Sequence, residues 1–81
     1  MAMAQDLKSL VVDYKQTFAG PHGERVLSDL SDHCYENVLT FVDQNPNGSA
    51  FNEGKRYAIL HIRRMLSMNP EQLPMKGMLN G

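Results

Sequence analysis

The stretch from Ser49 to Met68, SAFNEGKRYAILHIRRMLSM, constrains the fold of this chain more than any other. At about 100° per residue its apolar side chains share one broad arc, which is typical of a helix that faces a core. The arc holds Phe51, Ala58, Ile59, Ile62, Met65 and Leu66, with Gly54 at its edge. Because Ser49 can cap the first turn and Asn69-Pro70 stops the period, we predict a helix over residues 50–68.

A second amphipathic pattern lies near the start of the chain. Apolar residues recur there at three- and four-residue steps, namely Leu7, Leu10, Val11, Tyr14 and Phe18. This spacing predicts a helix over residues 4–19. Gly20 can adopt the left-handed conformation that ends a helix, and Pro21 cannot continue the hydrogen-bonded ladder. The chain should therefore turn here and lay the next helix against the first.

The sequence after this turn predicts a helix over residues 23–33. Its apolar side is expected to hold Val26, Leu27, Leu30 and Cys34. The run VLTFV at residues 38–42 leaves two alternatives open, because it can extend the helical stripe or form an extended, β-branched segment. We expect irregular structure over residues 34–48, where the stretch NPNG supplies two turn-forming pairs.

These elements predict an all-α fold, a small bundle of three helices in one domain at residues 1–68. Residues 69–81 contain prolines and glycines without a helical period, which predicts a flexible tail. A chain of 81 residues is short. It buries only about 60% of its unfolded surface, so its core is limited. We therefore expect self-association or a partner to add stability.

The composition restricts the classes of function. Hydrophobic residues make up 42% and charged residues 21% of the chain, as in an ordinary globular domain. The formal net charge of -1 excludes a general electrostatic attraction to nucleic acid or to an anionic membrane. A single cysteine cannot form an internal disulfide. The start lacks the features of a signal peptide, so we expect a soluble intracellular product.

Few residues offer metal-binding or nucleophilic chemistry. The candidates are His22, His33, Cys34 and His61. Structural zinc sites use ligand pairs separated by about two to five residues, and this set lacks that spacing. Its place on the apolar stripe favours a buried, inert thiol for Cys34 over a nucleophile. We expect no metal, no cofactor and no catalytic residue.

The side of the third helix opposite its apolar arc is basic. It carries Arg56, Leu60, Arg63 and Arg64. In a structural interpretation, the arginines pair with Asp29, Asp32 or the tail, and Leu60 is covered by the first helix or by residues 34–42. In a functional interpretation, an apolar residue ringed by arginines is the composition of a protein interface.

Glu53, Gly54 and Arg56 form a local set near the start of this helix. Glu53 and Arg56 are three residues apart and can pair across one turn. A glycine inside a helix costs about 1 kcal/mol relative to alanine, so Gly54 needs a reason. We expect the helix that carries Val26 to approach closely there, which would make Gly54→Ala destabilising.

Three short motifs stand out along the chain. They are Gly23-Glu24-Arg25-Val26-Leu27 with Asp29-Leu30, then Thr40-Phe41, and then Ala50-Phe51-Asn52-Glu53-Gly54-Lys55-Arg56 leading into Ile59-Leu60-His61-Ile62. Together they resemble a family of small proteins encoded by tailed bacteriophages. The resemblance covers about residues 14–66, and its most specific part is the Glu-Gly-x-Arg segment. Members tend to be encoded near head, portal or internal virion genes, and no enzymatic activity is attached to them.

The resemblance implies a non-enzymatic interaction protein, either a virion component or a head-assembly accessory. It would reside in the host cell cytoplasm or in the virion and bind a protein partner, with self-association as a further option and no membrane contact. Two alternatives stay open. One is a nucleic-acid-binding module that presents Arg56, Arg63 and Arg64 to phosphates. The other is a small inhibitor that binds a host protein through the same face.

Overall fold

The described residues form an all-α fold. The structure is a computed structural model, and it describes residues 6–73. Within that range lie three α-helices and a 3-10 turn, and no β-strand: α1 (Leu7–Thr17), α2 (Gly20–His33), α3 (Pro46–Ser67) and the turn Pro70–Gln72. The predicted all-α class and the three helices are confirmed. The start of the predicted first helix and residues 74–81 of the predicted tail lie outside the described residues.

The connection between α1 and α2 is shorter than the sequence predicts. Gly20 has the expected left-handed conformation, with φ of 75°. Gly20 does not follow directly on the first helix, however. It is the first residue of α2, and Pro21 lies in the first turn of that helix. Proline fits there because the first amides of a helix have no partner within it. The predicted start at residue 23 is therefore wrong, and only Phe18 and Ala19 separate the two helices.

The third helix begins four residues earlier than predicted, at Pro46. Its cap is Asn45, whose side-chain oxygen accepts a hydrogen bond from the amide of Gly48 at 2.9 Å. The pair Asn45-Pro46 is therefore a helix start, which the sequence pattern also permits. The predicted cap Ser49 lies inside α3 instead. Its hydroxyl accepts a hydrogen bond from the amide of Val42 at 2.7 Å.

The second helix ends at His33, as predicted. Tyr35 follows in the left-handed region, with φ of 61°. The amide of Glu36 then bonds back to the carbonyl of Ser31 at 3.2 Å, which is the long bond of a Schellman motif. Gln44, next to the cap of α3, is also left-handed, with φ of 58°. Residues 34–45, between α2 and α3, have no regular structure and are called the linking segment below.

The core lies where α1 crosses the second half of α3. Among the described residues, the buried apolar side chains are Val11, Leu27, Ile59 and Met65. Lys15 joins the two helices through a 2.6 Å hydrogen bond from its Nζ to the carbonyl of Leu66. The ring of Tyr14 meets His61 edge to face, with centroids 5.8 Å apart. The 3-10 turn packs against α1, so the described part of the predicted tail contributes to the fold.

Four residues assigned to the apolar faces by pattern are exposed. Phe51 is 65% exposed, Val26 53% and Leu7 40%, and Ala58 also faces solvent. For the two residues on α3 the reason is helix length. At about 1.5 Å per residue, α1 is about 16 Å long and α3 about 33 Å, so α1 covers only part of the apolar arc. The first half of α3 is left to the linking segment.

The close packing predicted at Gly54 is found at Gly23. A Cβ atom added at Gly54 would meet nothing within 4 Å, so the expected approach of α2 is wrong. A Cβ at Gly23 would lie 2.4 Å from the backbone carbonyl carbon of Phe18. The short connection between α1 and α2 therefore depends on the missing side chain at Gly23.

The two glycines provide a matched pair of variants. We expect Gly54→Ala to raise the free energy of unfolding by about 1 kcal/mol through helix propensity alone, and the melting temperature by roughly 4–8 °C. Gly23→Ala should lower the free energy of unfolding by about 1–3 kcal/mol, because the backbone of Phe18 must move to make room for the added methyl group. Thermal unfolding followed by circular dichroism measures both. A melting temperature lowered by Gly54→Ala and unchanged by Gly23→Ala would contradict the packing described.

Candidate interaction surface

The linking segment is fastened to the first half of α3 by polar groups. The buried amide of Asn52 donates to the carbonyl of Thr40 at 3.1 Å. The hydroxyl of Thr40 donates to the carboxylate of Glu53. Together with the bond between Val42 and Ser49, these contacts hold residues 40–42 along the helix. A buried amide such as that of Asn52 costs free energy unless it is hydrogen-bonded, so these contacts fix the position of the segment.

One residue of the same segment, Glu36, binds two of the predicted interface arginines, one through its carboxylate and one through its backbone carbonyl. Arg63 donates to both carboxylate oxygens of Glu36, from Nε at 2.8 Å and from Nη2 at 3.1 Å. Arg56 donates from Nε to the backbone carbonyl of Glu36 at 3.5 Å. The hydrogen bonds from Arg63 hold the pKa of the Glu36 carboxyl below its ordinary value, and they raise the pKa of Arg63. The acid that pairs with these arginines is therefore Glu36, and the expected pairing with Asp29 or Asp32 is wrong.

The structure divides the four predicted partner-binding residues into two groups. Arg56 and Arg63 converge on Glu36, while Leu60 and Arg64 face solvent. Leu60 is 39% exposed, so it is only partly covered and not buried as the structural interpretation expected. The pairing of Glu53 with Arg56 is also replaced, because Glu53 accepts from Thr40 and Arg56 donates to Glu36.

Two features of this surface were missed by sequence reasoning. Tyr57 is 69% exposed and lies one turn before Leu60, so Tyr57, Leu60 and Arg64 form one row along α3. The sequence could have predicted the exposure of Tyr57, because an aromatic residue outside the apolar arc of a helix does not face the core. The second feature is an open groove of about 500 Å³ between α3 and the linking segment. It is lined by Glu36, Asn37, Val38, Leu39, Thr40, Glu53 and Arg56.

Phe51 lies on another side of α3 and is partly shielded by a cation. The Nζ of Lys55 lies 4.7 Å from the centroid of the Phe51 ring and 5.5 Å from that of Tyr35. Such cation–π contacts are worth about 0.5–1 kcal/mol at exposed sites. Lys55 therefore links α3 to the start of the linking segment and is not part of the row formed by Tyr57, Leu60 and Arg64.

The candidate metal and nucleophile residues are dispersed. His22 contacts Arg25, His33 contacts Asp29, and His61 contacts Tyr14. The half-buried Cys34 caps the end of α2. Over residues 6–73, no three metal-binding side chains converge on one point. No helix in that range is long and apolar enough to cross a membrane.

Fold and surface together define a small helical protein that presents an open groove beside an exposed apolar and basic row. The chain belongs to the family of Bbp19-like phage proteins, whose family model matches residues 14–76. This match confirms the resemblance to small phage proteins and spans everything from the second half of α1 to beyond the 3-10 turn. No curated protein and no solved structure matches the chain.

The pair between Glu36 and Arg63 predicts how stability depends on pH. Because the pKa of Glu36 is lowered in the folded state, its contribution is present above its ordinary value of 4.5 and is lost as pH falls through the lowered pKa. Glu36→Gln should therefore lower the free energy of unfolding near pH 7, by roughly 0.5–1 kcal/mol for a partly exposed pair. Near pH 3 the difference from wild type should shrink toward zero.

Urea unfolding at the two pH values measures this effect. Asp32→Asn is the control, because Asp32 is an exposed carboxylate on α2. It should change stability little at either pH. A deficit of Glu36→Gln that is equal at both pH values would show that the carboxylate charge does not stabilise the fold.

Proposed function

We propose that this phage protein is a non-enzymatic interaction protein, a virion component or head-assembly accessory that binds a larger phage protein through α3. The observation that carries the proposal is the row of Tyr57, Leu60 and Arg64. Its two apolar members, Tyr57 and Leu60, are 69% and 39% exposed, so neither is buried in the core. Tyrosine and arginine are enriched in binding hot spots, and Leu60 adds apolar surface between them.

The bonds to Glu36 support this proposal by ordering the edge of the surface. Arg63 remains 44% exposed although its guanidinium is held by the carboxylate. An arginine already fixed in one conformation loses less side-chain entropy when a partner binds. Arg56 is held in the same way by the carbonyl of Glu36. The surface can therefore meet a partner with little reorganisation.

Local charge favours a protein partner over nucleic acid. Glu36 lies against Arg56 and Arg63, and Glu53 lines the same groove as Arg56, so the carboxylates offset part of the positive charge of this face. Phosphate binding depends on uncompensated cations that release counterions from the nucleic acid. A mixed surface with exposed Tyr57 and Leu60 fits a protein interface better.

A variant of α3 tests the proposal in the phage itself. Leu60→Asp places a charge in the centre of the row, and it should reduce the amount of this chain in purified particles or procapsids at least tenfold, a loss of about 1.4 kcal/mol. Val26→Asp is the matched control, because Val26 is an exposed apolar residue on α2. It should leave incorporation unchanged. Quantitative mass spectrometry of both assemblies gives the measurement.

Two further measurements separate the alternatives. A chain absent from particles and from procapsids would contradict the proposed role. DNA binding that falls steeply with salt would then favour the nucleic-acid module. A cross-link to a host protein in infected cells that Leu60→Asp abolishes would favour the inhibitor.

A further inference from the structure

The row on α3 includes a positive charge that no acidic side chain of this chain neutralises. All nine acidic residues lie within residues 6–73, the range that the structure describes. None of them forms an ion pair with the exposed Arg64, whereas the neighbouring Arg63 is paired with Glu36. Within the same range the guanidinium of Arg64 donates no hydrogen bond, and the bond from the hydroxyl of Ser67 goes to the backbone carbonyl of Arg64.

The charge of this part of α3 has one sign. Residues 54–67 contain no acidic residue and four cations, which are Lys55, Arg56, Arg63 and Arg64. The linking segment contributes one carboxylate to them, that of Glu36, and Arg63 binds both of its oxygens. The pairing with Glu36 therefore leaves a positive surplus on this part of the helix, and Arg64 lies within it.

Helix stability explains a cation at position 64 but does not explain its neighbours. Arg64 lies in the last turn of α3, where the helix dipole favours any positive charge. Leu60, one turn earlier, is 39% exposed, and Tyr57 is 69% exposed. At about 1.5 Å per residue the row is about 10 Å long, so one segment of a partner can contact all three side chains.

We propose that the larger phage protein binds this row with an acidic segment, in which a carboxylate meets Arg64 and an apolar side chain meets Tyr57 and Leu60. The inference rests on the proposed function and names the chemistry of its partner. A guanidinium can donate two parallel hydrogen bonds to one carboxylate, which fixes the direction of the contact. The apolar contact beside this pair excludes water from it, and an ion pair is stronger where water is excluded.

A carboxylate of a protein fits this row better than the phosphates of a nucleic acid. Phosphate binding uses several cations, each of which releases counterions. Arg56 and Arg63 already donate to Glu36, so among the described arginines of this face Arg64 is left for a ligand. A single cation beside an aromatic and an aliphatic side chain matches an acidic peptide segment, which supplies both a carboxylate and apolar groups.

Charge reversal tests the acidic partner in the phage. Arg64→Glu should reduce the amount of this chain in purified particles or procapsids by at least about tenfold, because like charges would then face each other across the contact. Arg25→Glu is the matched control, since Arg25 is an exposed arginine on α2 and its reversal changes the net charge equally. It should leave incorporation unchanged. Circular dichroism of both purified variants checks that they fold.

A cross-link without a spacer tests the contact directly. Arg64→Lys keeps the positive charge and supplies a primary amine, which a carbodiimide joins to a carboxylate in contact with it. Particles that contain Arg64→Lys should yield a cross-link from residue 64 to an aspartate or glutamate of the larger phage protein, detected by mass spectrometry. Particles that contain Arg25→Lys should yield none from residue 25.

The acidic segment and the proposed function can fail separately. Arg64→Glu at the wild-type level in particles, or no cross-link from residue 64, overturns the acidic segment. If Leu60→Asp still removes the chain from those particles, the proposed function stands. Release of the wild-type chain from opened particles by nuclease would indicate a nucleic-acid ligand and would also overturn the acidic segment. Absence of the wild-type chain from particles and procapsids contradicts the proposed function itself.

Discussion

The bond between Glu36 and Arg63 fixes where the linking segment starts along α3. These residues are 27 apart in sequence, and their two hydrogen bonds join the start of the linking segment to the second half of the helix. Further along, Thr40 and Val42 bind Asn52 and Ser49. The segment therefore attaches through polar groups, and its apolar side chains are left in solvent.

The unequal lengths of α1 and α3 explain the rest of the architecture. The second half of α3 has an apolar partner in α1, and it contributes the buried Ile59 and Met65. The first half has only the linking segment, and Phe51 stays exposed there. The protein therefore has a well-packed end, at the second half of α3, and a less covered end, at its first half.

The sequence predicted the helices well because their spacing is a local property. It predicted the end of α2 at His33, the left-handed Gly20 and the burial of Ile59 and Met65. Periodicity shows which residues share a face, however, and does not show how much of that face a neighbour covers. Phe51 and Val26 were misassigned for this reason. Gly54 was misinterpreted because close approach is a tertiary property, which the structure locates at Gly23.

The candidate surface was predicted only in part, for a related reason. Its arginines and Leu60 follow from the helical pattern of α3. Glu36 does not, because no spacing rule connects a residue in an irregular segment with an arginine 27 residues later. Asn45 was likewise interpreted as part of a turn, since Asn-Pro is common both in turns and at the start of a helix.

The contact between α1 and α3 also determines when this chain can fold. Lys15 binds the carbonyl of Leu66, 51 residues further along, and the core is complete only when Met65 joins Val11 and Ile59. Forming it closes a loop that contains all of α2 and the linking segment. Loop closure of this size slows folding relative to a bundle in which neighbouring helices make the core. During synthesis, α1 therefore gains its main packing partner only after the end of α3 has been made.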